Sequence, residues 1–312
     1  MTRFLAGAGA LALAATTLVA CGSSDSDSAA GTSGQTITFA AVPAESSVTL
    51  EQTFGNITDL IEQETGVTVN FQNASDYAAV IEGMRAGQVD IASFGPFSYV
   101  IAKDSGVDME PVAAPTNDID EAPAYTSLAY VREDSDIQNI GDLAGKTVCF
   151  VDQASTSGYL VPMKGLMDAE INLDDDLEAV MAGGHDASLL TLDSEGCDAA
   201  FAHDTMLTTL ENSGQVEPGA LRAVWESDPI TEDPITVNRG TLGDELADQI
   251  IQVLREQANK PALVEAGICS SEDDCALPEE TGYGYVTVTD ADFDPIRDIC
   301  EVTDAAACRN IG

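Results

Sequence analysis

The sequence predicts an α/β protein of two lobes, each a mixed, mostly parallel sheet flanked by helices, and three observations predict it. Apolar strand-like runs alternate with amphipathic helices, the alternation starts afresh near Ser127, and the chain is too long for one usual domain. Of its 312 residues 44% are hydrophobic, enough to build a core. Ile37 to Val42 reads as the first strand, Thr49 to Glu64 as a helix closed by Gly66, and Val67 to Phe71 as the second strand. The next helix takes Ser75 as N-cap and Gly87 as terminator, with Tyr77, Val80, Ile81 and Met84 on one face. Val89 to Phe94 is then a strand that ends in Gly95-Pro96, proline suiting a first helical turn. The second unit carries strands around Leu128, Cys149, Val180, Cys197 and Val224 and finishes near Asp233-Pro234. Thr241 to Gln257 reads as a helix before a cysteine-bearing tail, and no solenoid repeat is present.

Ahead of this, Met1-Thr2-Arg3 precedes an uncharged apolar run from Phe4 to Ala20 that ends in Leu18-Val19-Ala20-Cys21. The run is short for a membrane span and has the layout of an export signal. It resembles a bacterial lipoprotein signal, which implies removal of residues 1–20 and acylation of Cys21. Residues 21–35 form the expected tether: from Gly22 to Gly34 they are Ser, Asp, Gly, Ala and Thr with little to bury, the composition of a flexible segment. An uncleaved signal anchor is the alternative, but nothing basic follows the apolar run.

Export agrees with seven cysteines, since lipidation of Cys21 leaves six. Cys269 with Cys275 and Cys300 with Cys308 are expected as short local loops, and Cys149 with Cys197 because both lie at strands of one sheet. A zinc site is disfavoured: no spacing is CxxC, and only His185 and His203 could assist. No metal or other cofactor is expected. The net charge of −42 repels nucleic acid and anionic lipid, so neither is an expected partner, and membrane contact is expected through the lipid anchor alone. Most of that charge is a solvated surface. An anionic ligand would have to be captured by local N–H and O–H donors against an unfavourable field.

Such donors occur where the strand Val148 to Val151 runs into Ser155-Thr156-Ser157-Gly158. The first N–H groups of a helix lack internal partners and carry the positive end of its dipole. Hydroxyls there, with a glycine lacking a side chain, suit a small oxyanion. The plainer reading is that Ser155 or Ser157 only caps the helix. In sheets of this kind ligands sit where strand ends enter helices, and Phe94-Gly95-Pro96 marks a second such end.

Together, Tyr77-Ala78-Ala79-Val80, Arg85-Ala86-Gly87-Gln88-Val89-Asp90-Ile91-Ala92, Phe94-Gly95-Pro96-Phe97-Ser98-Tyr99, Tyr125-Thr126-Ser127-Leu128, Ser155-Thr156-Ser157-Gly158-Tyr159, Gly184-His185-Asp186-Ala187-Ser188 and Asp233-Pro234-Ile235 resemble the phosphonate, phosphite and phosphate-binding components of ABC importers, the PhnD-like solute-binding proteins. The resemblance runs from about Gln35 to Arg255. It implies the two-lobed type II periplasmic-binding-protein fold, with one lobe over 36–126 and 236–312 and the other over 127–235. It also implies capture of a phosphorus oxyanion and delivery to a membrane permease and its ATPase, from the periplasm or the outer face of the cell membrane. The tail from Cys269 to Gly312 departs from the family pattern.

Carried over residue by residue, the resemblance puts Ser155, Thr156 and Ser157 on the phosphorus-bound oxygens, adds Tyr77 and Tyr125 as phenolic donors, and brings His185 into the cleft, where a protonated ring would favour an anion. Without it, Tyr77 reads as a core position, Tyr125 as a strand residue and His185 as a helix start. Asp204 and Asp233 are expected to face the ligand only through a P–OH hydrogen or a substituent's ammonium group, which would exclude sulfate. Their plainer readings are an N-cap and a turn, and His203 reads as incidental. Catalysis is not expected. Neither GxSxG nor HExxH occurs, and Gly141 to Gly145 with Lys146 lacks the spacing of a phosphate-binding P-loop. The rival functions are a binding protein for a sulfonate or a thiamin precursor, and a sensory or assembly lipoprotein of the same fold.

Overall fold

A computed structural model describes residues 34–44, 47–278 and 281–309, with 47–49 described by backbone alone. The signal over 1–20, Cys21 with its lipidation, and the tether up to residue 33 lie outside the described residues. The chain folds around two sheets. The first has six strands, β1 (Thr36–Ala41), β2 (Thr68–Asn73), β3 (Ile91–Ser93), β4 (Met109–Thr116), β12 (Ile235–Asn238) and β13 (Gly284–Thr287), in the order β13-β4-β12-β3-β1-β2. The second has β6 (Ser127–Arg132), β7 (Thr147–Phe150), β8 (Glu178–Met181), β9 (Ala199–His203) and β10 (Leu221–Glu226), in the order β10-β6-β9-β7-β8. Both are mixed. β2-β1-β3 and β8-β7-β9 are parallel, while the strands beyond β3 and beyond β9 add antiparallel. The chain crosses between the sheets twice, through β5 (Ala124–Tyr125) and β11 (Ile230–Thr231). These pair antiparallel, Tyr125 opposite Ile230.

The helices follow the expected alternation with instructive breaks. The single helix expected over 49–64 is two, α1 (Ser47–Thr53) and α2 (Gly55–Thr65), and α2 ends as expected on a left-handed Gly66. The break falls where Phe54 packs its ring on Phe39 and Phe71, at centroid distances of 5.2 and 6.0 Å, and where Gly55 lowers helix propensity. Helix α3 (Tyr77–Arg85) is capped by Asp76 rather than Ser75: the Asp76 carboxylate accepts the Ala79 N–H at 2.8 Å, and Ser75 donates to Asp76. A carboxylate is the stronger acceptor for an orphan N–H. Helix α4 (Pro96–Asp104) carries proline in its first turn, as expected.

In the second unit come α5 (Val161–Asp168), α6 (His185–Asp193) and α7 (Met206–Asn212). The helix expected over 241–257 divides at Gly243, whose φ of 74° is left-handed, into α8 (Arg239–Leu242) and α9 (Asp244–Gln257). The tail adds α10 (Lys260–Glu265), α11 (Asp294–Thr303) and α12 (Ala306–Arg309). Among the described residues there are three disulfides. Cys149 on β7 is bonded to Cys197, two residues before its neighbour β9, and Cys269–Cys275 and Cys300–Cys308 close loops in the tail.

One apolar cluster runs from the first sheet's helices to the second sheet, joining Tyr77, Val80 and Phe97 to Val151, Leu160 and Val161. It brings the carboxyl ends of the parallel strands of both sheets toward one another, where ligands of such sheets sit. Among the described residues no helix is long and apolar enough to cross a membrane.

Candidate functional site

Between the strand ends lies a small cavity of about 10 Å³, the scale of one water molecule. One wall is the segment after β7. Ser155 precedes a single π-helical turn, Thr156–Leu160, in which the Leu160 N–H reaches back to the Ser155 carbonyl, and α5 follows. Turns of this type recur at functional sites because they swing side chains out of helical register. Ser155, Thr156 and Ser157 are each at most 2% exposed, and all three line the cavity. The other walls are Tyr77 at the start of α3, Tyr125 on the crossing strand β5, Gly95 and Ala44 from the first sheet, and His185, His203 and Asp233.

The hydrogen bonds set what each group can offer. Ser155 Oγ accepts the Gly158 N–H at 3.1 Å, so it is an N-cap, and it also lies 3.4 Å from His185 Nε2. Thr156 Oγ1 accepts the Phe97 N–H at 2.8 Å from the first turn of α4, across the gap between the sheets. A hydroxyl that accepts in this way still has its proton to give. Ser157 is held by its carbonyl, which accepts from Ser127 Oγ at 2.6 Å. His185 Nδ1 accepts the His203 backbone N–H at 3.2 Å, so the neutral ring carries its proton on Nε2, toward Ser155. Burial, with His203 adding to it, pushes the His185 pKa well below its usual value. His185 is therefore a neutral N–H donor near pH 7, so the gain that protonation would give an anion is not present there, because desolvation and the neighbouring His203 both disfavour the charged ring.

Three further expectations change. Asp204 does not line this cavity. Its carboxylate accepts the N–H and hydroxyl of Thr126 at 3.1 and 3.2 Å and borders a separate cavity with Thr116, Asn117 and Glu232. It is not the N-cap of α7 either, since that position is Thr205. His203 is not incidental; it lines the cavity beside His185, their ring centroids 4.6 Å apart. Gly158 is needed for packing rather than for ligand approach, because a Cβ there would lie 2.3 Å from Val151 Cγ2. The glycine on the cavity is Gly95, where a Cβ would lie 3.2 Å from Thr156 Oγ1.

The lining thus gathers Tyr77, Tyr125, Ser155, Thr156, Ser157, His185 and Asp233 from the sequence-derived set, omits Asp204 and adds His203. His203 was legible only as the last residue of a strand, and a strand end does not say which way its ring turns. Among the described residues no lysine or arginine lines the cavity, and those that do offer neutral donors and one carboxylate. A larger cavity of about 470 Å³ adjoins it, sharing Ala44, His203 and Asp233 and walled partly by Cys275, Leu277 and Tyr285 of the tail. Among the described residues no group of three or more His, Cys, Asp or Glu is placed to hold a metal ion.

Residues 39–273 match the family described as the periplasmic substrate-binding protein of the phosphonate ABC transporter. Over 301 residues the chain is 41% identical to the phosphate-import protein PhnD of Mycolicibacterium smegmatis, covering 93% of each. It is 31% identical over 229 residues to the phosphonates-binding periplasmic protein of Escherichia coli, covering 72% of this chain and 67% of that one. A crystal structure of a binding-protein component of an ABC phosphonate transporter from Pseudomonas aeruginosa superposes with a TM-score of 0.75 at 25% identity, covering 88% of this chain and 89% of that one. The fold is that of the type II periplasmic binding proteins. With its strand ends meeting at a small polar cavity and three-quarters of its length matched, the chain belongs to the periplasmic substrate-binding proteins of phosphonate ABC transporters.

Proposed function

We propose that the protein binds a phosphorus oxyanion (phosphate, phosphite or a phosphonate) between two lobes, 36–126 with 236–312 and 127–235, and delivers it to a permease driven by an ATPase. The observation that carries this reading is the cavity itself: Ser155, Thr156, Ser157, His185, Tyr77 and Tyr125 converge on one small space, with Asp233 among them. Neutral donors can replace the hydration of a small tetrahedral anion without importing a counter-charge. So small a space admits a ligand only if the lobes part and close again, and a ligand that bridges them stabilises the closed form by its higher affinity for it. The protein acts by binding, without catalysis, and is held at the outer face of the membrane by a lipid on Cys21. The names of the two relatives, one for phosphate and one for phosphonates, support the ligand class.

A carboxylate beside a bound anion is tolerated when a proton lies between them, so the Asp233 position favours a ligand with a P–OH group or an amine-bearing substituent. Sulfate has neither at neutral pH. Calorimetric titration with phosphate, phosphite, methylphosphonate, aminoethylphosphonate and sulfate tests the reading. At least one phosphorus oxyanion should bind, sulfate should bind weaker by about 10⁴-fold, and Asp233→Asn should narrow that gap. Asp204→Asn should leave the selectivity unchanged, because Asp204 is engaged by Thr126. Sulfate binding as tight as that of any phosphorus oxyanion would move the protein to the sulfur-oxyanion class.

A further inference from the structure

We infer that His203 is a direct ligand contact, so that the anion is held by a pair of imidazoles, His185 and His203, acting together with the serine and threonine hydroxyls. The inference rests on the phosphorus-oxyanion reading and adds a specificity-determining residue to it. The whole chain contains two histidines, and both are in the wall of one small cavity, brought there by different elements, the first residue of α6 and the last of β9.

The rings are locked in place by different partners. His185 is fixed through Nδ1 by the His203 backbone N–H, and His203 is fixed through Nδ1, which lies 3.0 Å from Thr205 Oγ1. With Nδ1 of each ring engaged, Nε2 is the nitrogen left to reach a ligand, in His185 over a 3.4 Å contact with Ser155 Oγ that a ligand oxygen would have to share or replace. Where the Thr205 hydroxyl donates to His203, that ring too becomes an Nε2–H donor. His203 is 6% exposed, and burial lowers its pKa to about 4, against a smaller opposing effect of Asp204. The ring is therefore neutral near pH 7, as His185 is, and with the Thr205 hydroxyl donating to Nδ1 it offers a hydrogen bond without a positive charge. His203 also stands with Asp233 and Ala44 on the border between the small cavity and the larger one, the place from which a ring can sense what is attached to the phosphorus.

The main chain makes this testable, because His203→Ala removes the ring and keeps the backbone N–H that holds His185. Inorganic phosphate is the probe. In ¹⁵N spectra of the full chain, with each ring assigned by its His→Gln variant, phosphate should shift the Nε2 signals of both imidazoles and leave both as Nε2–H tautomers. His203→Ala should weaken phosphate binding at least tenfold, and His203→Gln, whose amide can donate, should recover most of that loss. Movement of the His185 signal alone, or phosphate affinity within twofold of wild type in His203→Ala, would overturn the inference. Should His203→Ala fail to fold, the wild-type spectra and His203→Gln still decide. A wild type that binds no phosphorus oxyanion in calorimetry would instead bring down the function reading, and with it this one.

Discussion

At the scale of single residues, Thr156 joins the two sheets, and under the proposed function it is also a donor to the ligand. Its hydroxyl accepts the Phe97 N–H across the gap, which leaves its own proton to donate. Thr156→Val deletes that donor and strands a buried N–H in the closed form. A hydrogen bond to a charged group contributes about 1.5–3 kcal/mol and an unpaired buried donor costs about 1–3 kcal/mol, so affinity should fall by about a hundredfold or more. Thr156→Ser keeps both bonds and should stay within about threefold of wild type. A Thr156→Val protein with unchanged affinity and only a lowered melting temperature would make this hydroxyl a strut. The hydroxyl cluster was legible because three such residues follow an apolar strand. Its partner was not, lying 59 positions away on another sheet. Asp204 misled for the same reason: its acceptors are answered by Thr126, 78 positions away, which no local pattern announces.

At the scale of elements, the alternation of strands and helices was legible from period and caps, whereas the breaks at Phe54 and Gly243 and the π-helical turn after Ser155 depend on packing and local φ that periodicity does not encode. The tail was the least legible part, since its amphipathic pattern says that α11 buries a face but not against what. Arg297 of α11 pairs with Asp104 of α4 at 2.8 Å and with Asp290, to which Tyr99 of α4 also donates at 2.6 Å. These bonds tie α11 to the first sheet's side. Toward the second sheet α11 packs on α5, with Ile296 and Ile299 in the same apolar cluster as Leu160, Val161 and Met163. That packing coexists with the Phe97–Thr156 bond, and under the proposed capture by closure both belong to the closed form, so weakening the packing should favour opening. Ile299 is half-buried; Ile299→Ala should cost the closed form about 1 kcal/mol and speed phosphate release about fivefold in stopped-flow, with little change in association. An unchanged release rate would mean that α11 rides with one lobe and has no hold on the other.

At the scale of the whole molecule, a second unit could be anticipated from the restart of the alternation near Ser127 and the two crossings only from the family resemblance, while the closeness of the strand ends could not, because it is set by the apolar cluster that both sheets share. The charge is a property of the entire surface and was legible from composition: 54 acidic residues against 12 basic ones, a net of −42. Among the described residues no basic side chain lines the small cavity, and the one on the adjoining larger cavity, Lys260, is accompanied there by Asp273 and Asp274, so the acidic field that an approaching anion meets is not reversed locally. That field should act on the rate of encounter far more than on release, since donors a few ångströms from the bound ion dominate once it is in place. Salt shortens the reach of the repulsion from about 30 Å at 0.01 M to about 8 Å at 0.15 M. Phosphate association should therefore quicken by about three- to tenfold over that range, with dissociation nearly constant, the opposite of the slowing that salt causes for an anion drawn to a basic cleft. Stopped-flow rates at fixed pH and rising sodium chloride would read this directly. An association rate that falls with salt would show that some basic group steers the ligand, and capture by neutral donors alone would have to be given up.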